Sequence, residues 1–180
     1  MKTNWKFLAL SFLIISSYIS YAQESRNPMV KNYGGVFELP FEAEKPDPNL
    51  QYKIVLDIYS GADQPSEINP ALFNAARMLN LHLVGGVPKE NMDVVLAIHG
   101  PAAFTVMDND AYKAKYGTDN PNLGLITELD KAGVKLYICG QSLLVRKIDV
   151  NRIAKEIKPA LSMLTIVTTH QLNGYAFMKF

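Results

Sequence analysis

The 180-residue chain contains one cysteine, Cys139, at the end of the apolar run Val134 to Cys139 (VKLYIC) and directly before Gly140-Gln141-Ser142. A thiol at the carboxyl end of a strand, with a helix opening just beyond it, meets backbone N–H groups and the positive end of the helix. Both favour the thiolate, which is the form that attacks sulfur and carries it as a persulfide. The competing reading is a buried, inert residue, because free cysteine is among the most buried side-chain types. Position alone leaves the two balanced. His99 closes a second apolar run, Met92 to His99 (MDVVLAIH), before Gly100-Pro101. On a neighbouring parallel strand it would share the crevice with Cys139, as an acid, a base or a hydrogen-bonding partner for an anion. Its alternative is a histidine that only satisfies loop backbone.

Other chemistries lack their residues. His82 and His170 have no ligand spacing to each other or to Cys139, and neither H-x-x-x-H nor C-x-x-C occurs, so no metal site is expected. Gly100-Pro101 is a weak echo of a phosphate loop, without G-x-G-x-x-G or a Walker lysine, and no cofactor is expected. There is no G-x-S-x-G elbow, and Ser60 and Ser142 lack a partner set for a hydrolase triad. Asp57 and Asp63, near the first strand, read as solvated or turn-forming groups.

The elements that must position the thiol follow from texture. Tyr52 to Tyr59 (YKIVLDIY) is a strand, broken by Ser60-Gly61-Ala62-Asp63. Asn69 caps a helix opened by Pro70, with Leu72, Ala75, Ala76, Leu79 and Leu83 at helical spacing up to Gly85-Gly86. Met92 to His99 is a continuous apolar run, the texture of a strand covered on both faces. Residues 101–119 hold short helical turns and a loop; Asn122 caps a helix carrying Leu125, Ile126 and Leu129 to a stop at Gly133. Val134 to Cys139 is the third strand, a short helix follows Gly140, and Asp149 or Asn151 caps further turns through Lys158. Pro159-Ala160-Leu161 is a short fourth strand, Leu161 to Asn173 a helix ending at Gly174, and Tyr175 to Phe180 a last strand. Strands alternating with helices predict right-handed crossovers and a parallel sheet of about five strands between helical layers. In such folds reactive groups collect beyond the carboxyl ends of the strands.

With 48% hydrophobic and 19% charged residues the chain has the balance of one soluble globule with a real core, and two independent domains are not expected. Residues 1–22 carry Lys2 and Lys6, the apolar run Phe7 to Ile15, and small residues at Ser20 and Ala22 before Gln23. This is the layout of a cleaved secretory signal, and the run is too short for a membrane anchor. The expected mature protein is periplasmic or secreted, with no stable membrane insertion. Loss of Lys2 and Lys6, with no acid lost, takes the formal charge from +1 to −1, which gives no electrostatic reason for a nucleic-acid partner. Residues 23–50, with Pro28, Gly34, Gly35, Pro40, Pro46 and Pro48 and no sustained period, read as an arm or linker before a domain at 51–180. Val36-Phe37 and Phe41 are its candidate docking residues.

Taken together, Gly85 to Pro88 (GGVP), Asn91 to Gly100 (NMDVVLAIHG), Asn120-Pro121-Asn122, Gly133 to Ser142 (GVKLYICGQS) and Leu172 to Ala176 (LNGYA) resemble the DsrE/DsrF-like family over roughly residues 52–180. The resemblance implies a three-layer α/β/α sandwich with a mainly parallel five-stranded sheet, homo-trimers or homo-hexamers, and a cysteine that in several members carries persulfide sulfur. Cys139 occupies that position. The resemblance also implies a pocket formed by His99, Gly140, Gln141 and Ser142, with Asn80, His82 and Asn120 as further contributors. The leading expectation is an extracytoplasmic sulfur carrier or sulfurtransferase, whose sulfur donor and acceptor the sequence does not name. A non-catalytic oligomeric protein that binds a small ligand and a thiol redox sensor are the alternatives. The binding protein would bury Cys139. The sensor would form an intermolecular disulfide, since no second cysteine can resolve the first.

Overall fold

The computed structural model describes residues 24–180, so the expected leader lies outside the described residues. Five parallel strands form one sheet in the order β4-β3-β2-β1-β5. They are β1 (Tyr52–Ile58), β2 (Met92–Ile98), β3 (Lys135–Cys139), β4 (Lys158–Ala160) and β5 (Ala176–Lys179), joined by α1 (Pro70–Val84), α2 (Asn109–Tyr116), α3 (Leu123–Lys131), α4 (Gly140–Arg146) and α5 (Met163–Leu172). Helices cover both faces, which gives the expected α/β/α layering.

Alternation along the strands sorts the core into two layers. Ile54, Leu56, Ile58, Leu96, Ile98, Leu136 and Ile138 pack beneath α1, α3 and the 3-10 segment Gly100–Val106. Val55, Val95 and Ala97 pack on the other face against Ile166 and Val167 of α5. The unequal cover follows from chain direction. From β1 to β4 each new strand is added on the same side of the last; α5 then carries the chain back across the sheet to β5, beside β1. A right-handed crossover that reverses its direction of travel must lie on the opposite face. The chain therefore leaves β3 toward one face, where Leu143 of α4 joins the larger core, and leaves β4 toward the other. The carboxyl ends of β3 and β4 are the switch point of the sheet.

Most element ends fall where their caps predict. Asn69 accepts from the Ala71 and Leu72 amides at the start of α1, and Gly174 follows α5 with φ +83°. Asp149 caps only the short 3-10 turn Val150–Arg152. The fourth strand is Lys158–Ala160, and α5 opens at Met163 with Ser162 as its cap, two residues later than expected. Asn122 differs most. Its side chain makes no cap bond to α3; it accepts from the Asn69 amide at 2.8 Å and donates to Asn120 Oδ1 at 3.0 Å. It thus ties the start of α1 to the loop before α3. At the opposite end of the sheet Lys135 and the Tyr175 hydroxyl both donate to Asp93. Burial pushes that carboxyl up, but the Lys135 and Tyr175 hydrogen bonds outweigh it and hold Asp93 below the usual carboxylate range.

The arm is docked along α1. The expected docking aromatics Phe37 and Phe41 are exposed, while Val36 and Val30 are the arm's buried apolar side chains. The fastener is Asn80, itself fully buried. Its Oδ1 accepts from the Met29 and Val30 amides, both at 2.9 Å. Its Nδ2 donates to the Tyr33 and Gly34 carbonyls at 2.9 and 3.0 Å. An antiparallel bridge between Arg26 and Val36 and an Arg26–Glu38 ion pair close the arm on itself.

Because Asn80→Ala would strand these buried backbone groups, each worth about 1–3 kcal/mol when unsatisfied, it is expected to cost about 3 kcal/mol in denaturant unfolding and to speed proteolysis within residues 30–50. Unchanged unfolding and cleavage would show that the arm is held by other contacts.

Candidate functional site

Cys139 is the last residue of β3, at the switch point, and its side chain lies on the α5 face of the sheet. Ala97 and Tyr137 are register partners on that face, and Cys139 follows Tyr137 by two positions, the strand repeat. Its residue is only 5% exposed. Two helix starts converge on the sulfur. α4 begins at Gly140 immediately after it, and α5 begins at Met163 opposite, where Ser162 Oγ lies 3.9 Å from Sγ and accepts from the Leu164 amide.

Burial is the largest influence on the thiol and pushes its pKa up. It is outweighed by hydrogen bonds from the Met163 amide, the Ser142 hydroxyl and amide, and the Ser162 hydroxyl, so Cys139 ionises below an ordinary thiol. Ser142 has a second task. Its Oγ accepts from the Gly100 amide at 3.1 Å, which locks α4 to the loop after β2. Gly100 must be glycine there: its φ is +57°, and a Cβ would lie 2.4 Å from the Tyr59 ring. Gly140 is required for close approach, because a Cβ would lie 2.8 Å from the Ala160 carbonyl oxygen. Gln141 Nε2 donates weakly to the Leu161 carbonyl at 3.4 Å and helps hold the loop between β4 and α5.

His99 follows Ile98, the register partner of Ile138, so it stands level with Cys139 on the adjacent strand. Its Nε2 is 2.5 Å from Asp57 Oδ1. Asp57 is buried, not solvated or part of a turn as its place near a strand end suggests. It lies inside β1 in register with Lys179 of β5, whose Nζ is 3.6 Å from Oδ2. The sequence reading missed Asp57, Lys179 and Ser162. For Asp57 the available signal was a charge inside an otherwise apolar run; for Ser162 it was a serine just before a helical segment.

Three expected pocket residues are not brought to the sulfur. Asn80 holds the arm. His82 donates from Nδ1 to the Met78 carbonyl, stacks edge-on against Tyr52, and lines a groove of about 880 Å³ between α1 and arm residues 37–46. Asn120 donates to the Thr105 and Met107 carbonyls and accepts from the Asn122 amide, fastening the loops around α2. Among the described residues no cluster of three or more His, Cys, Asp or Glu side chains could hold a metal ion.

No curated protein matches the chain. Solved structures that share the fold include the protein of unknown function MTH1491 from Methanobacterium thermoautotrophicum, 16% identical with a TM-score of 0.54, and the ychN protein from E. coli, 17% identical with a TM-score of 0.53. Each alignment covers 72% of this chain and 99% of the other. The sequence matches the DsrE/DsrF-like family over residues 53–180, nearly the whole of the α/β unit that carries Cys139. The chain belongs to the DsrE/DsrF-like family.

Proposed function

We propose that the protein handles sulfane sulfur, with Cys139 as the atom that accepts and passes it on. The observation that carries this reading is a thiol at the switch point whose acidity is raised by donors from two helix starts, Ser142 and Met163, despite its burial. In the accepting step the Cys139 thiolate attacks the outer sulfur of a persulfide donor RS–SH. A new S–S bond forms, the RS–SH bond breaks with its electron pair leaving on RS⁻, and the product is Cys139–S–SH. No electrons are gained or lost overall, so no oxidant is needed. The same donors that favour the thiolate favour the persulfide anion, which supports storage before transfer.

The proposal extends to place and assembly. The Lys2, Lys6, Phe7 to Ile15 and Ala22 pattern supports export to the periplasm or beyond, with maturation at Gln23. Self-association into a trimer or hexamer is supported by apolar side chains left in solvent beside the site and along α5, including Leu161, Leu164 at 66% and Leu172 at 90% exposure.

The thiol is tested by its alkylation rate against pH. The midpoint is expected below that of an unstructured cysteine thiol, and Ser142→Ala, which removes a donor, is expected to move it upward and to slow alkylation at neutral pH several-fold. A midpoint at or above the ordinary thiol value would remove the basis of the reading. Sulfur carriage is tested by intact-mass spectrometry of protein expressed in an exporting host and exposed to polysulfide. The expected wild-type spectrum starts at Gln23 and gains about 32 Da per sulfur atom, reversed by reductant and absent from Cys139→Ser. No gain, with Cys139 alkylated only after unfolding, would instead favour a binding protein of the same fold. A reductant-sensitive dimer joined through Cys139, with no sulfur gain, would favour a redox sensor. Native spectra of the same sample are expected at three or six times the chain mass, and a monomer at all concentrations would end the assembly proposal.

A further inference from the structure

One row of polar groups crosses the carboxyl edge of the sheet on the α5 face and is only partly used by the reading above. From strand to strand it runs from Cys139 to His99, then steps back two residues to Asp57, the register partner of Ala97, and on to Lys179. Its centre is dry: the side chains of Asp57 and His99 are 8% and 13% exposed, while that of Lys179 is 58% exposed. A carboxylate left inside a strand this deeply is destabilising unless both oxygens are answered. Here His99 Nε2 answers Oδ1 at 2.5 Å and Lys179 Nζ answers Oδ2 at 3.6 Å. Among the described residues Asp57 is the only hydrogen-bond partner of the His99 ring. The ring is further confined by Tyr59, whose centroid is 5.1 Å away, while Lys179 lies 5.6 Å from the Tyr59 ring. Tyr59, Lys179 and Asp57 are therefore the titratable groups around it on the β1 side, and Cys139 stands level with His99 on the strand at its other side.

A carboxylate that accepts one ring N–H fixes the tautomer and the orientation of an imidazole, and leaves the second nitrogen to take and return a proton. The backbone register sets His99 level with Cys139 on the next strand, on the same face of the sheet. We infer that Asp57 is a positioning residue that holds His99 as the proton donor to the thiolate leaving group when Cys139 attacks a sulfur–sulfur bond. Lys179 supports the arrangement by pairing with the second oxygen of Asp57, which leaves Oδ1 to His99.

The inference rests on the sulfur-transfer reading for its physiological substrate, but its chemistry holds for any S–S bond. For a disulfide RS–SR the Cys139 thiolate forms Cys139–S–SR, the RS–SR bond breaks, and the departing RS⁻ takes the His99 proton to leave as RSH. Proton donation matters when RS⁻ is a basic aliphatic thiolate and not when it is an acidic aromatic one, since a lower leaving-group pKa already speeds exchange.

The test compares the rate of Cys139 with glutathione disulfide, with an aromatic nitrobenzoate disulfide and with an alkylating agent, in wild type, Asp57→Asn and His99→Gln. The ratio of the glutathione-disulfide rate to the alkylation rate is expected to fall at least tenfold in both variants, the lower end of proton-transfer catalysis being about a hundredfold. The ratio of the aromatic-disulfide rate to the alkylation rate is expected to hold within about twofold. If all three probes slow together, Asp57 acts only on structure or access, and the inference falls; it falls equally if neither ratio moves. Should Asp57→Asn not fold, His99→Gln decides alone, because it leaves Asp57 paired with Lys179. A wild type that shows the split between disulfides but gains no sulfur from polysulfide would retain the dyad and overturn the sulfur-carrier reading.

Discussion

The handedness of strand–helix–strand connections governs this molecule. Because crossovers are right-handed, a chain that builds four strands in one direction and then returns to place the fifth beside the first must put its last helix on the other face. That single reversal separates the paths leaving β3 and β4. Cys139 stands where the first path begins, and α5 opens along the second. The site is a consequence of topology before it is a consequence of any side chain.

At that point the balance on the sulfur is between two opposing effects. Exclusion from water penalises the thiolate, and amides and hydroxyls aimed at it compensate. Two of these donors, the Met163 and Ser142 amides, are groups that helix starts leave unpaired in any case. The Met163 amide belongs to the first turn of α5, and Ser162 serves at once as the cap of that helix and as a neighbour of the sulfur. Packing at Gly140 against the Ala160 carbonyl brings the two starts close enough to share one atom. On the adjacent strands the polar row continues through His99 and Asp57, both largely out of solvent.

Much of the fold was legible because the information is local. β1, β2 and α1 are visible in runs such as Ile54-Val55-Leu56 and in the Asn69-Pro70 opening of a helix, and the strand-end position of Cys139 follows from them. The start of α5 was misplaced because Leu161, an apolar residue 72% exposed, looks like the first core residue of the helix while the cap is Ser162. Asp57 was misread because what makes it a buried partner is a histidine 42 residues away, and nothing in a window around it records that distance. The arm shows the same limit: Val30 and Asn80 meet across 50 residues, so composition announced an extended segment but not its anchor. Asn80 and Asn120 were assigned to the pocket by resemblance alone, and their buried amides instead tie backbone segments together.

The hold of α5 on the sheet has a consequence for the thiol. That helix buries only Ile166 and Val167, about 1.5–3 kcal/mol each, and leaves Leu164 and Leu172 in solvent. Segments so lightly anchored open at a small fraction of the global unfolding cost. When α5 lifts, the sulfur loses the Met163 and Ser162 donors together and gains water. Local opening of the helix and acidity of the cysteine are therefore thermodynamically linked, and whatever settles on the outer side of α5 adjusts the thiol without touching it.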